Sequence, residues 1–250
     1  SAEDLGFLRG TGALDEATLE FLADYRFRGD VHGYAEGELF FPSSPVLRIE
    51  GTFENAVMLE TVVLSILNHD SGVASVGSRM VTAARGRPLI EMGGRRVHED
   101  AAIAAARAAY LVGFASTSNL AAGAHYRIPV AGTSAHAFTL LFDSEEDAFR
   151  AQLTAQGAGT TVLVDTYDVE KAVRLAVELA GPQLGAVRVD SGDLVDQAGR
   201  VRALLDSLGN RDTRITVTSD LDEYAIAALA AISCGATAHA QHGDHAQQHG

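Results

Sequence analysis

Beyond residue 87 the chain alternates between short apolar runs and helical patterns, and no other feature constrains its fold as much. Apolar runs near 88–93, 111–115, 128–132, 160–165, 185–190 and 214–218 are separated by DAAIAAARAAY, SEEDAFRAQLTAQ, VEKAVRLAVELA and LVDQAGRVRALLDSLG. A strand covered on both faces has no polar side to show, so it reads as an unbroken apolar run rather than an alternating one. Strands of that kind separated by helices pair in parallel through right-handed crossovers. A doubly wound open sheet and a (β/α) barrel both satisfy this pattern. The open sheet normally places a glycine-rich phosphate loop after its first strand, and neither GxGxxG nor GxxxxGK[ST] occurs in the chain. The expected architecture is therefore an α/β barrel, incomplete with six strands.

Each apolar run stops at chemically capable residues: LIEMGGRR at Arg95 and Arg96, GFASTSN at Ser118 and Asn119, and AGTSAH at His136. The later ones are TTVLVDTYD at Asp165 and Asp168, AVRVDSGD at Arg188, Asp190 and Asp193, and RITVTSDLDE at Ser219, Asp220 and Asp222. Barrel enzymes draw their catalytic groups from the C-terminal ends of several strands, so these segments read as one site. His136 follows a Gly-Thr-Ser turn, and Asp165 is its best partner. A carboxylate that accepts from one imidazole nitrogen fixes the tautomer and frees the other nitrogen as base or nucleophile. In each D-x-x-D or D-x-D pair the second carboxylate reads as a helix N-cap. The first members would repel one another at a common mouth unless a cation, a hydroxyl-rich ligand or an arginine shares the space, which points to a sugar or Mg²⁺ site. At a mouth with no other basic group but Arg188, Arg95 and Arg96 supply the forks that would clamp phosphate or carboxylate.

A net charge of −14 with only 19 Lys and Arg argues against a nucleic-acid partner and favours a small polar substrate. One cysteine excludes an internal disulfide, no apolar stretch approaches the length of a membrane span, and the N-terminus has no basic-apolar leader pattern, so the expected location is the cytoplasm. The first 50 residues have another texture. LDEATLEFLADYRF has helical spacing, and GELFFPSSPVLRIEGTF offers two strand-like runs around a Pro-Ser-Ser-Pro turn. A long helix is expected from Ala56, with Gly72 and Gly77 as points of interruption. The expected domains are an α/β N-terminal part at 1–55, a barrel part at 56–231 and an atypical tail at 232–250.

Taken in order, EMGGRR, GFASTSNL, VAGTSAHAF, DTYDV, VRVDSGDL and VTSDLDEYAI resemble nicotinate phosphoribosyltransferases of the bacterial type over about residues 14–231. The resemblance implies a type II phosphoribosyltransferase: an irregular (β/α) barrel with a small α/β domain, dimeric with shared active sites. It implies formation of nicotinate mononucleotide and diphosphate from nicotinate and 5-phosphoribosyl diphosphate, with coupled ATP hydrolysis and Mg²⁺, in NAD salvage. His136 would be the histidine phosphorylated by ATP and Asp165 its carboxylate partner. Arg95 would contact phosphate near the ribose and Arg188 would lie beside the pyridine. Asp190 and Asp220 would contact ribose and Mg²⁺, with Ser219 beside them. Ser118 falls where the related nicotinamide enzyme has an aspartate; Ser118 or Asn119 can donate to the carboxylate of nicotinate, which an aspartate would repel. The sister readings are a nicotinamide or quinolinate enzyme, or an inactive fragment that only dimerises.

Two departures accompany the resemblance. The chain begins at Ser1, without the preceding segment whose aromatic residue reaches the neighbouring subunit's site. After Ala231 the expected strand and glycine-rich phosphate loop are replaced by ISCGATAHAQHGDHAQQHG. His239, His242, His245 and His249 in that tail suit Zn²⁺ or Ni²⁺ by chemistry, but low complexity favours a disordered terminus.

Overall fold

The structure, a computed structural model, describes residues 1–237, and the tail histidines lie outside the described residues. The chain forms two compact units, Ser1–His69 and the part from Asp70 onward. No helix among the described residues is long and apolar enough to cross a membrane.

The first unit opens with α1 (Ala2–Thr11), which is absent from the sequence-based expectations. Its signal is a capping box: the Ser1 hydroxyl accepts from the Asp4 amide, and the Asp4 carboxylate reaches back to the chain start. Helix α2 (Glu16–Ala23) falls inside the expected helix and is capped by Asp15, which accepts from the Thr18 amide at 2.8 Å. Strands β1 (Gly29–Gly33) and β2 (Leu47–Gly51) then pair antiparallel, with Val31 opposite Ile49. The strand expected in the Leu-Phe-Phe run does not form. Leu39, Phe40 and Phe41 lie in the connecting loop, because Pro42 and Pro45 remove amide donors and Ser43 turns the chain with φ +70°. Helix α3 (Phe53–Ala84) runs unbroken through both glycines. At Gly77 the reason is packing, since a Cβ there would lie 2.9 Å from Val112 Cγ2.

The second unit continues with β3 (Ile90–Glu91), α4 (Glu99–Leu111) and β4 (Ser116–Thr117), then α5 (Leu120–Tyr126), α6 (His136–Thr139) and α7 (Glu145–Gln156). It ends with β5 (Thr161–Leu163), α8 (Val169–Ala180), β6 (Ala186–Val189), α9 (Leu194–Ser207), β7 (Arg214–Val217) and α10 (Glu223–Thr237). The run at 111–115 is not a strand: Leu111 ends α4, Gly113 turns with φ +112°, and pairing begins only at Ser116. Near 128–132 pairing shrinks to a single parallel bridge between Thr117 and Val130. All pairing in this unit is parallel, as the alternation predicts. It falls in two sheets, β3–β4 and β5–β6–β7, with no ladder joining them among the described residues.

The core sits around β5 and β6, whose Val162, Val164, Val187 and Val189 are sealed by Phe149 of α7, Val173 and Ala176 of α8, and Val201 and Leu205 of α9. Each large side chain buried here stabilises the unit by about 1.5–3 kcal/mol relative to exposure. Backbones also close on each other: the Gly185 amide donates to Ala158 O at 2.9 Å, and a Cβ on Gly185 would lie 2.0 Å from Gly159 O. Because that obstacle is backbone and cannot rotate away, Gly185→Ala is expected to destabilise the chain by about 1–3 kcal/mol. A lowered urea midpoint checks it.

Candidate functional site

The Gly-Thr-Ser turn and the ends of β5, β6 and β7 bring the sequence-predicted groups together around one buried carboxylate. Asp165 follows β5, and its side chain is only 1% exposed. Its Oδ1 lies 3.1 Å from His136 Nε2, while its Oδ2 accepts from the Asp190 amide at 2.8 Å and the Ser191 hydroxyl at 2.6 Å. An ionised carboxylate only accepts, so His136 Nε2 carries the shared proton. The neutral ring then has its lone pair on Nδ1, which has no hydrogen-bond partner among the described residues. His136 opens α6 and is 39% exposed, so ligands can reach it.

Arg188 is the hub of the adjoining network and is 11% exposed. Its Nε donates to Thr218 Oγ1 at 2.7 Å, its Nη2 to Asp190 Oδ1 at 2.8 Å, and its Nη1 to Thr133 Oγ1 at 2.6 Å and to Ser134 O at 3.3 Å. The Thr218 hydroxyl also donates to Asp190 Oδ1. Burial alone would raise the Asp190 carboxyl, but the bonds from Thr218 and Arg188, the charge of Arg188 and that of His136 when its ring is protonated outweigh it and hold the group below its ordinary value. Ser134 is tied down in turn, its hydroxyl donating to Gln152 Oε1 at 2.9 Å. Gln152 is buried and donates to Thr161 O at 2.9 Å. The loop carrying His136 is thus anchored to α7, β5 and β6.

Further groups stand at the other sheet or cap the helices that follow the strands. Glu91 ends β3 and spends both oxygens on structure, accepting from the Gly93 amide and from the Thr117 hydroxyl at 2.7 Å. It thereby shapes the 3-10 turn Gly93–Arg95 and the Thr117–Asn119 segment. Arg95 is exposed and makes no ion pair among the described residues, as an anion clamp requires. Arg96 is engaged differently: its Nε and Nη2 hold Asp220 Oδ1 at 3.1 and 2.6 Å. Ser118 and Ser219 are exposed, and Asn119 caps α5 by accepting from the Ala122 amide at 3.0 Å. Asp168, Asp193 and Asp222 are the N-caps of α8, α9 and α10. Glu145, at the start of α7, is raised above the ordinary carboxyl value by burial and by the charge of Asp168.

Sequence reasoning passed over Glu91, Thr133, Gln152, Ser191 and Thr218. Glu91 at the end of an apolar run and the Ser of D-S-G-D carried a signal. Gln152 looks like any polar helix residue, and its role exists only in three dimensions. No group of three or more His, Cys, Asp or Glu among the described residues forms a ready metal cage. Asp190 Oδ2 and Asp220 Oδ2 are left by their partners as hard oxygen donors of the kind that Mg²⁺ takes.

Residues 1–68 match the family model for the nicotinate phosphoribosyltransferase N-terminal domain, nearly the whole first unit. The chain is 58% identical to a Mycobacterium tuberculosis nicotinate phosphoribosyltransferase (pncB1) over 224 residues, covering 86% of this chain and 50% of that protein. It is 36% identical to the Bacillus subtilis nicotinate phosphoribosyltransferase, covering 91% and 48%. Among solved structures, human nicotinic acid phosphoribosyltransferase superposes with TM-score 0.80 at 29% identity over 92% of this chain and 59% of that one. A nicotinate-nucleotide pyrophosphorylase from Pyrococcus furiosus gives 0.77 at 28%, over 82% and 55%. The chain spans about half the length of the curated relatives it matches. With the α/β fold, the ordered strand-end motifs and these likenesses in agreement, the chain belongs to the nicotinate phosphoribosyltransferase family.

Proposed function

We propose that the chain carries the phosphoryl-accepting and substrate-orienting machinery of a nicotinate phosphoribosyltransferase. The enzyme would make nicotinate mononucleotide and diphosphate from nicotinate and 5-phosphoribosyl diphosphate, driven by ATP hydrolysis, in cytoplasmic NAD salvage and as a homodimer. One observation carries the reading: an accessible imidazole whose Nε2–H is held by a buried carboxylate, leaving Nδ1 as a nucleophile. Nδ1 attacks the γ-phosphorus of ATP, the bridging P–O bond breaks and ADP departs. Asp165 balances the positive charge that the ring acquires. The added phosphoryl charge next to the Asp190 network biases the site toward its substrate-binding state.

In the transfer step, nicotinate displaces diphosphate at the anomeric carbon through an oxocarbenium-like transition state. Asp190 orients the ribose hydroxyls, Arg95 holds phosphate, and the Ser118 hydroxyl donates to the pyridine carboxylate. Mg²⁺, when bound by Asp190, Asp220 and substrate phosphates, supplies charge neutralisation for the leaving diphosphate. Incubating the chain with 5-phosphoribosyl diphosphate, Mg²⁺ and nicotinate, nicotinamide or quinolinate, with and without ATP, tests the reading. Nicotinate mononucleotide alone, increased by ATP, is the expected product; no mononucleotide from any pyridine would defeat the proposal.

A further inference from the structure

The D-S-G-D turn after β6 serves the histidine as much as it presents Asp190. Its last residue, Asp193, is pinned as the cap of α9, with Oδ1 accepting from the Val195 and Asp196 amides at 3.1 Å each. Gly192 turns the chain with φ +76° directly against Gln197, whose Nε2 would be 2.8 Å from a Cβ there. Asp190 is held on the other side by Arg188 and Thr218. Between these anchors Ser191, itself exposed, points its hydroxyl back onto Asp165 Oδ2 at 2.6 Å.

Asp165 is shielded from water, so its oxygens depend on the donors that the protein supplies: His136 Nε2–H, the Asp190 amide and the Ser191 hydroxyl. With Oδ2 satisfied by two of them, Oδ1 remains aligned on the imidazole. Removing the hydroxyl leaves Oδ2 with one donor. The carboxylate then relieves itself by rotating so that both oxygens share the Asp190 amide, which takes Oδ1 off the line to Nε2. We infer that Ser191 is a positioning residue for the phosphoryl-accepting histidine, acting through Asp165 to keep the proton on Nε2 and the lone pair on Nδ1. The inference rests on the proposed role of His136, but the geometry it invokes can be read without turnover.

Ser191→Ala and Ser191→Thr in the 250-residue chain test it by two readouts. In histidine-selective ¹⁵N spectra, with the His136 signals identified by their loss in His136→Gln, the parent chain should show the neutral ring as the Nε2–H tautomer. Ser191→Ala should mix in the other tautomer and Ser191→Thr should restore the first. Phosphoryl transfer from γ-³²P-labelled ATP should slow about tenfold in Ser191→Ala, the scale of one lost bond to a charged group, and return to within about twofold in Ser191→Thr. An unchanged tautomer and an unchanged labelling rate in Ser191→Ala overturn the inference. If the parent chain takes no label while the tautomer still responds to Ser191, the positioning role stands and the phosphoryl-acceptor reading fails. Unaltered thermal unfolding midpoints exclude misfolding as the source of either change.

Discussion

His136→Ala is expected to reduce ATP-dependent labelling of the protein to background and to remove the stimulation of nicotinate mononucleotide synthesis by ATP, while leaving a slow ATP-independent turnover. The reason lies in the division of labour within the site. Among the described residues the His136 side chain bonds only to Asp165, whereas the groups proposed to hold ribose, phosphate and pyridine are fixed by Arg188, Thr218, Glu91 and Thr117. Deleting the imidazole therefore removes the proposed phosphoryl acceptor without dismantling the proposed substrate contacts. Nε2 faces Asp165 at 3.1 Å, so the expected site of the phosphoryl group is Nδ1. Asp165→Asn weakens the same step without deleting the acceptor, because its amide nitrogen can face the ring and stabilise the wrong tautomer. A loss of roughly 10⁴-fold in labelling rate is the comparable scale for a histidine whose orienting carboxylate becomes an amide. Isolation of the phosphohistidine and identification of its isomer by ³¹P spectroscopy check both points. Persistent ATP stimulation in His136→Ala would remove His136 from the coupling step.

Much of this site could be read from the chain because its chemistry lies at the ends of apolar runs. The run before Thr218 is only half-buried, whereas the runs ending at Asp165 and Asp190 are largely buried, so a polar residue appears mainly where the strand leaves the core. That placed His136 with Asp165 and separated the capping carboxylates from the others. The sequence was less informative where one residue changes the backbone. Gly113 ended an expected strand, and Pro42 and Pro45 kept an aromatic run out of the ribbon. It was silent on Gln152 and Thr133, since a polar side chain on a helix or in a turn does not announce a partner many positions away. Arg188 shows the limit of residue-type reasoning: its place at a strand end marks it as a site residue but does not reveal that most of its donors are committed inside the protein.

That commitment makes Arg188→Met the second large effect. The substitution removes four hydrogen bonds, leaves Asp190 without its cation, and frees the Thr133–Ser134 segment that leads to His136. Breaking a buried pair costs about 3–5 kcal/mol; with Arg188 and Asp190 11% and 26% exposed, water recovers part of it, and about 2–3 kcal/mol is expected. Phosphoribosyl transfer should fall by at least about 100-fold, because Asp190, the carboxylate proposed to orient the ribose, and the histidine loop lose their common anchor. Arg188→Lys should recover little of either quantity, since an ammonium cannot span Thr218, Asp190 and Thr133 at once. The pH dependence gives an independent check. Asp190 lies below its ordinary value of 3.8, so its contribution to stability is present above that value and is lost as pH falls through the lowered one. Without Arg188 both its hydrogen bond and its charge no longer hold the carboxyl down, so the stability difference between about pH 6 and about pH 3 should shrink in Arg188→Met. Urea unfolding at the two pH values measures this directly. Wild-type stability and transfer in Arg188→Lys would show instead that charge alone is what the position requires.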